Sequence, residues 1–306
     1  EEGCYREKFL LDILDNEKVL AYSSEEEFFS ILAGIQPDIF HVHRSGRPDE
    51  FPIVPRLKDY VGKCVETNIF GGYDSTKIID LTIYVSDYLN KNARHPNRKT
   101  CVIYNPVKEP LHTKNLRSTL GISPATFVMG RIGRPDDYIF DAISLRALKI
   151  IEGKGDYDIL YLVQSPPPNM IRVAQDIGLK KVKFLTAPIV TDEEITSFFN
   201  TIDILAHARK DGETFGLNIA EAMIHGKPVI SHRSHRANAH KPFVKKCGFF
   251  VRRDNFRQYA KCIGILYHNK KKRLTLGRRG HDFARENFLL TNIGKKLEEC
   301  YKQLHT

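Results

Sequence analysis

No run of apolar residues in the chain approaches the roughly 18 needed to cross a bilayer, and no secretory signal pattern opens it. The six cysteines (Cys4, Cys64, Cys101, Cys247, Cys262, Cys300) are scattered and contain no Cys-x-x-Cys pair. That excludes a disulfide framework and a zinc ribbon and predicts reduced thiols. Nor is there a Walker loop, a Gly-x-Ser-x-Gly elbow or a Gly-x-Gly-x-x-Gly turn. P-loop phosphoryl transfer and serine hydrolysis therefore have no support. Together these absences predict a cytoplasmic protein without a membrane span. The chain starts at Glu1 rather than Met, so it reads as an internal fragment.

One sign of charge is missing locally. Between Gly226 and Arg253 there are eight Lys/Arg and no acid, and "NKKKRLTLGRRG" (Asn269 to Gly280) adds a second basic run. Residues 1–106 carry 13 Lys/Arg against 17 Asp/Glu, whereas residues 107–306 carry 34 against 20. The break predicts two domains. The basic half suits a phosphorylated small molecule, an anionic membrane surface or nucleic acid. The run at 269–280 lacks the interleaved aromatics of a strand-binding surface, and no nucleic-acid motif is present, so no nucleic-acid partner is expected. Weak contact with anionic lipid, as a peripheral protein, and plain solvated helix faces both remain open.

At 42% hydrophobic and 27% charged, the 306 residues are those of an ordinary globular α/β protein with one or two sizeable cores. Short apolar runs predict strands at Val19, Asp38, Cys64, Leu81 and Cys101, with a helix between the first two that is capped by Ser24 and stopped by Gly34. "NPVKEPLHTKN" (Asn105 to Asn115) reads as a linker. A second alternation of strands and helices follows up to "GFFVR", and the tail is helical. This pattern predicts parallel sheets with right-handed crossovers. The expected division is a first Rossmann-like domain at 1–106, a second at 107–285, and a closing helix at 286–306 that packs back on the first.

"ARKDGETFGLNIAEAMIHGKPVIS" places Glu213 and Glu221 on either side of a Phe-Gly turn at the mouth of a helix that starts near Gly216 or Leu217. Acids there can simply complement the helix dipole. Alternatively, the free N–H groups of Phe215, Gly216 and Leu217 cradle a phosphate while the two carboxylates accept sugar hydroxyls. A ligand with hydroxyls on both sides of a phosphate is a nucleotide-sugar.

This segment resembles the signature of retaining glycosyltransferases of family 4. "PDIFHVHRSG", "IIDLTIYVSDYL", "CVIYNPV", "FVMGRIGRP" and "GLKKVKFLTAPIVTDEEITSFFNTIDILAHA" look like that family's other blocks, in its order. The resemblance implies the GT-B fold: two Rossmann-like domains facing across a cleft. It implies hexosyl or related glycosyl transfer from a nucleotide-diphosphate sugar, of UDP or GDP type, to a hydroxyl on a glycan or lipid-linked glycan. Neither a metal nor another cofactor is required. Glu213 would bind the donor sugar beside Thr214, and Glu221 the ribose. Arg134 would neutralise the diphosphate, while Ala187 and Pro188 would lie near the base. His43 and Asn68 would face the acceptor.

The sequence departs from the family pattern at several points. Ile139 stands where a second diphosphate-binding Lys is usual, with Lys210 or Arg209 as substitutes. Asn68 replaces a His, and "SHRSHRANAH" replaces a Gly-Gly. The first domain is expected to be incomplete, lacking its first strand and glycine-rich loop. A catalytically weak GT-B module that binds a nucleotide-sugar or a protein partner is therefore the alternative. Asp156 to Asp158 spell the metal triplet of the other large glycosyltransferase fold, but at the wrong end of a strand. His225, His232, His235 and His240 lack metal spacing and are expected to enlarge the basic surface.

Overall fold

The computed structural model of the chain describes residues 14–15, 18–45, 51–72, 76–93, 99–155, 157–189 and 191–304. Asp156 and Val190 lie outside them. In the first half, Ser24 accepts a hydrogen bond from the Glu27 amide and opens helix α1 (Glu25–Ile35). Gly34 does not stop this helix. The turn ends at Gln36, which takes the left-handed conformation at φ 46, and Gly34 is tolerated because it faces open space. Val19 to Tyr22 form no strand. Tyr22 instead packs its ring on Phe28 and Phe51, covering α1 rather than extending a sheet.

Strands β1 (Ile39–Arg44), β2 (Lys63–Asn68), β3 (Leu81–Tyr84) and β4 (Lys99–Val102) form a parallel sheet in sequence order, with α2 (Asp87–Asn92) between the last two. The side chains of β2 and β3 are buried almost throughout, as expected of a sheet covered on both faces. A charge pair lies inside it. Arg44 donates to Glu66 at 2.9 Å, Thr82 donates to the other Glu66 oxygen at 2.7 Å, and both ions are buried.

The second half alternates β5 (Phe127–Ile132), α3 (Ile143–Glu152), β6 (Ile159–Gln164), α4 (Pro168–Asp176), β7 (Val182–Leu185), α5 (Asp192–Thr201) and β8 (Ile204–Ala206). It continues with β9 (Gly212–Glu213), α6 (Leu217–Ile224), β10 (Val229–His232), β11 (Ala237–Asn238), α7 (Lys241–Cys247) and β12 (Gly248–Val251). Six strands make one parallel sheet in the order β12-β10-β8-β5-β6-β7. From β5 the chain winds outward through β6 and β7, then returns to β8 on the other side of β5. The β5/β8 boundary is thus a topological switch point, where a crevice opens beyond the carboxyl ends of the strands.

Helices α8 (Phe256–His268), α9 (Lys270–Asn287) and α10 (Leu290–Lys302) complete the chain. Ile293, Leu297 and Leu304 pack with Val65, Leu81 and Ile83 of the first sheet, and Tyr301 meets His41 Nδ1 at 2.5 Å. The segment 105–115 is a strap laid over α5. Asn200 holds the carbonyls of His112 and Lys114, and the Leu116 amide donates to Thr201 Oγ1. The chain passes between the two sheets at Val107 and again at Leu289, which form a parallel bridge. An aromatic cluster of Tyr104, Phe215, Phe243 and Phe288 closes around this double crossing.

Candidate active site

The loops after β5 and β8 build the crevice. Beyond β8, Gly212 (φ 76) lies so close to the Ala237 carbonyl that a Cβ would sit 1.8 Å from it. That close approach permits the two-residue β9–β11 ladder, which presents Glu213. The Glu213 carboxylate meets His207 Nε2 at 3.1 Å and the Arg209 guanidinium at 3.4 Å. His207 is buried, and its Nδ1 lies 2.8 Å from Ser231 Oγ, so a hydroxyl proton given to Nδ1 leaves Nε2–H to orient Glu213. Tyr259 donates to the carbonyls of His207 and Ile230, tying the ends of β8 and β10 together. Gly216 (φ 102) is the N-cap of α6, which begins at Leu217. Phe215 points away into the aromatic cluster, leaving the turn to offer its backbone rather than side chains.

A narrow cleft beside this turn is lined by Arg131, Gly133, Arg134, Ile139, Arg209 and Glu213. Three arginines thus line the cleft that Glu213 also lines, and of them Arg209 meets Glu213 and also pairs with Asp211. Arg134 is exposed at its edge. Arg131, in strand β5, is only 5% exposed and its Nη1 has no hydrogen-bond partner among the described residues; burial lowers its pKa. Asn218 also lines the cleft, donating to the Ile132 carbonyl while its own Oδ1 is buried without a partner. A buried unpaired cation and an unpaired amide oxygen are costly in an empty protein. Together they leave one buried donor and one buried acceptor at the same cleft, which a polar ligand could complete.

The sequence reading missed Arg131, because an arginine inside an apolar strand reads as part of the strand. The strand's position at the switch point is the signal that could have singled it out. Lys210 is exposed and does not line the cleft, whereas Arg209 does. Ile139 forms part of the wall, and its carbonyl accepts from the Lys210 amide.

Glu221 sits one turn into α6 and is partly buried. Its carboxylate has no hydrogen-bond donor among the described residues. Desolvation, with a smaller contribution from Asp192, pushes its pKa up to about 8. Ala187 and Pro188 line a cavity of about 430 Å³ with Leu116, Gln164, Phe184 and Ile189, and Gln164 donates to the Ala187 carbonyl at 2.6 Å.

On the opposite side, a cleft of about 660 Å³ runs from Glu213 and Thr214 to Phe70, Gly71, Gly72 and Tyr88 of the first half. Asn68 does not open on it with a free amide. Its Oδ1 accepts from the Gly71 amide and its Nδ2 donates to the Gly72 carbonyl, so it shapes the loop that lines the cleft. His43 is exposed and stacks on His41, with ring centroids 4.6 Å apart, and does not line the cleft. Burial pushes His41 down to about 4.

The surface role expected of the later histidines is corrected. His232 is buried at the end of β10 and accepts from the Arg209 amide, and His240 is fully buried at the start of α7. Burial lowers the pKa of both rings. His225 is lowered too, to about 4. Only His235 of the four is exposed. No group of three metal-ligating side chains occurs among the described residues, nor a helix long and apolar enough to cross a membrane.

Residues 167–283, which contain Glu213 and Glu221, match the family model described as "Glycosyl transferases group 1". No curated protein matches it in sequence. Among solved structures, HepE of Anabaena in complex with UDP and glucose is similar at 21% identity and a TM-score of 0.62, over 75% of this chain and 65% of HepE. A glycosyltransferase from Rickettsia africae is similar at 16% identity and a TM-score of 0.75, over 97% of this chain and 88% of that one. Sucrose-phosphate synthase from Thermosynechococcus elongatus is similar at 16% identity and a TM-score of 0.70, over 92% of this chain and 77% of the synthase. At these identities the likeness establishes the fold, which is GT-B: two Rossmann-like units across a cleft.

Proposed function

We propose that the chain is a retaining glycosyltransferase that moves a sugar from a nucleotide-diphosphate donor, of UDP or GDP type, to a hydroxyl on a glycan or lipid-linked glycan. The observation that carries this reading is the buried, unpaired Arg131 converging with Arg134 and Arg209 on the cleft that Glu213 closes. The donor diphosphate lies against these cations and the amide groups at the start of α6. Glu221 accepts the ribose hydroxyls, Ala187 and Pro188 flank the base, and Glu213, steadied by His207, accepts hydroxyls of the donor sugar.

No carboxylate stands ready as a covalent nucleophile, so the reading is a same-face displacement. The bond from the anomeric carbon to the phosphate oxygen breaks, with its electron pair leaving on that oxygen. The acceptor oxygen bonds to the same face of the anomeric carbon, and its proton passes to the departing phosphate. The protein contributes positioning and fixed positive charge where the negative charge grows. HepE in complex with UDP and glucose, on a similar fold, supports a nucleotide-sugar donor.

A catalytically weak module is the second reading, favoured by the internal use of both ends of the Asn68 amide and by Ile139 in the cleft wall. Thermal unfolding with UDP, GDP, ADP, CDP and dTDP tests the donor site. A nucleotide at 100 times its dissociation constant stabilises by about 2.7 kcal/mol, and Glu221→Ala should diminish the shift. Glu213→Ala should keep the shift but lower the rate of transfer by about 10²-fold or more. Stabilisation without measurable transfer by the wild type would support the second reading. No shift with any nucleotide would sink the transferase reading and leave only a module that binds a protein partner.

A further inference from the structure

We propose that the acceptor is a glycan carrying acidic groups, carboxylate or phosphate, held in a basic groove that opens sideways from the reaction cleft. This inference rests on the transferase reading above and adds the chemical class of its acceptor. The groove is a cavity of about 640 Å³ between α2 with Tyr104 on one side and the segment 233–246 on the other. Lys91, Arg233, Arg236, Lys241 and Lys246 line it, and its one acid, Asp87, accepts a hydrogen bond from the Tyr104 hydroxyl. None of the five cations is ion-paired with an acid among the described residues. Lys246 instead lies over the Phe283 ring at 5.5 Å.

Like charges gathered in a groove repel one another and raise the local concentration of anions. A neutral glycan would need only hydroxyl partners. Three residues, Tyr88, Asn92 and Arg236, line both this groove and the cleft that reaches Glu213. A ligand lying in the groove therefore leads one end toward the transferred sugar. Phe70, 63% exposed at the cleft wall, offers an apolar ring face to a sugar at that end. The groove is also fastened to the reaction site: the Ala237 amide donates to the Asp211 carbonyl, the Ala239 amide donates to the Glu213 carbonyl, and the Tyr88 hydroxyl donates to the Arg236 carbonyl at 3.0 Å. The basic "SHRSHRANAH" of the sequence is thereby the wall nearest Glu213.

The test uses the whole chain and fluorescence anisotropy with labelled hexamers of galacturonic acid and of glycerol phosphate, with maltohexaose as the neutral control. At least one acidic hexamer should bind saturably, more weakly as salt shortens the range of the field, and maltohexaose should not. The two hexamers separate carboxylate from phosphate recognition. The triple variant Arg233→Ser/Arg236→Ser/Lys241→Ser should weaken acidic binding by about tenfold or more, as loss of charge-assisted contacts predicts, while nucleotide stabilisation stays as in the wild type.

Nucleotide stabilisation with no acidic-hexamer binding, or with binding that the triple variant leaves intact, overturns this proposal and spares the donor site. Acidic binding without any nucleotide stabilisation overturns the acceptor role together with the transferase reading. Tighter binding of phosphatidylserine vesicles or single-stranded DNA than of either hexamer, lost in the same variant, assigns the groove to another anion and overturns the proposal as well.

Discussion

The two sheets bury an arginine in opposite ways. In the first sheet Arg44 meets Glu66 at 2.9 Å, and Thr82 satisfies the second carboxylate oxygen. In the second sheet Arg131 is just as deeply buried, yet one end of its guanidinium has no partner among the described residues. The first network is closed and holds strands together. The second is open, and it opens on the cleft at the switch point. A buried charge complete within the protein belongs to the fold, whereas one left incomplete in a cleft is completed by what binds there.

The sharpest way to break this contrast is to remove one partner from the closed pair. Glu66→Ala leaves the Arg44 cation buried without its carboxylate and should destabilise the protein by about 3–5 kcal/mol, as for other broken buried pairs. Nucleotide affinity of the molecules that remain folded should be unchanged. Denaturant unfolding with and without nucleotide reads both quantities. A loss under ~1 kcal/mol would mean that the Arg44–Glu66 pair is no more than a surface-grade contact.

Removing the open charge should do the reverse. Arg131→Met replaces a buried unpaired cation by an apolar chain of similar length, so the empty protein should be as stable as the wild type or more so. Nucleotide affinity should fall by about 10- to 100-fold, the range of one hydrogen bond to a charged group. Equal affinity in both proteins would show that Arg131 takes no part in binding. A large loss of stability without nucleotide would make it a structural residue like Arg44, and the contrast would collapse.

Much of this was legible in the sequence, for reasons that differ by residue. The apolar runs at 39–44, 63–68 and 81–84 are strands because buried parallel strands need little else, and Ser24 with Glu27 declares a helix start locally. The Val19 segment failed because Tyr22 had a better use packing against Phe28 and Phe51. Glu213 and Gly216 were legible because they lie within four residues of one turn, whereas Glu221, one turn into α6, lines none of the clefts described above. The buried state of His232 and His240 was not, since a basic, acid-free stretch looks solvated until β10 and α7 bury those two rings. Arg131 was hidden in the same way: the cleft it shares with Glu213 depends on strand order, which no local pattern records, whereas Arg209 was already in view as a substitute for the missing Lys.

Glu221 extends the contrast to the opposite sign of charge, and its effect is the smallest and the most specific. Its folded carboxyl is raised from 4.5 to about 8, so between those values the empty folded protein holds a proton that the unfolded chain has released. The Glu221 contribution to stability is therefore present at low pH and lost as pH rises through that window, because the folded state binds the extra proton. Ribose hydroxyls donate to the carboxylate, so binding favours its ionised form. The affinity for a nucleotide-sugar, whose diphosphate diester does not titrate in this range, should rise with pH by at most about tenfold per unit, as for the release of one proton, and level off above about 8. Glu221→Gln should flatten both the stability and the affinity profiles, and calorimetry in two buffers of different ionisation enthalpy should find the released proton in the wild type alone. A wild-type affinity independent of pH between 6 and 8, roughly the span below the raised carboxyl, would mean that Glu221 meets its ligand as a neutral acid or not at all. The open anion would then have to be sought at Glu213.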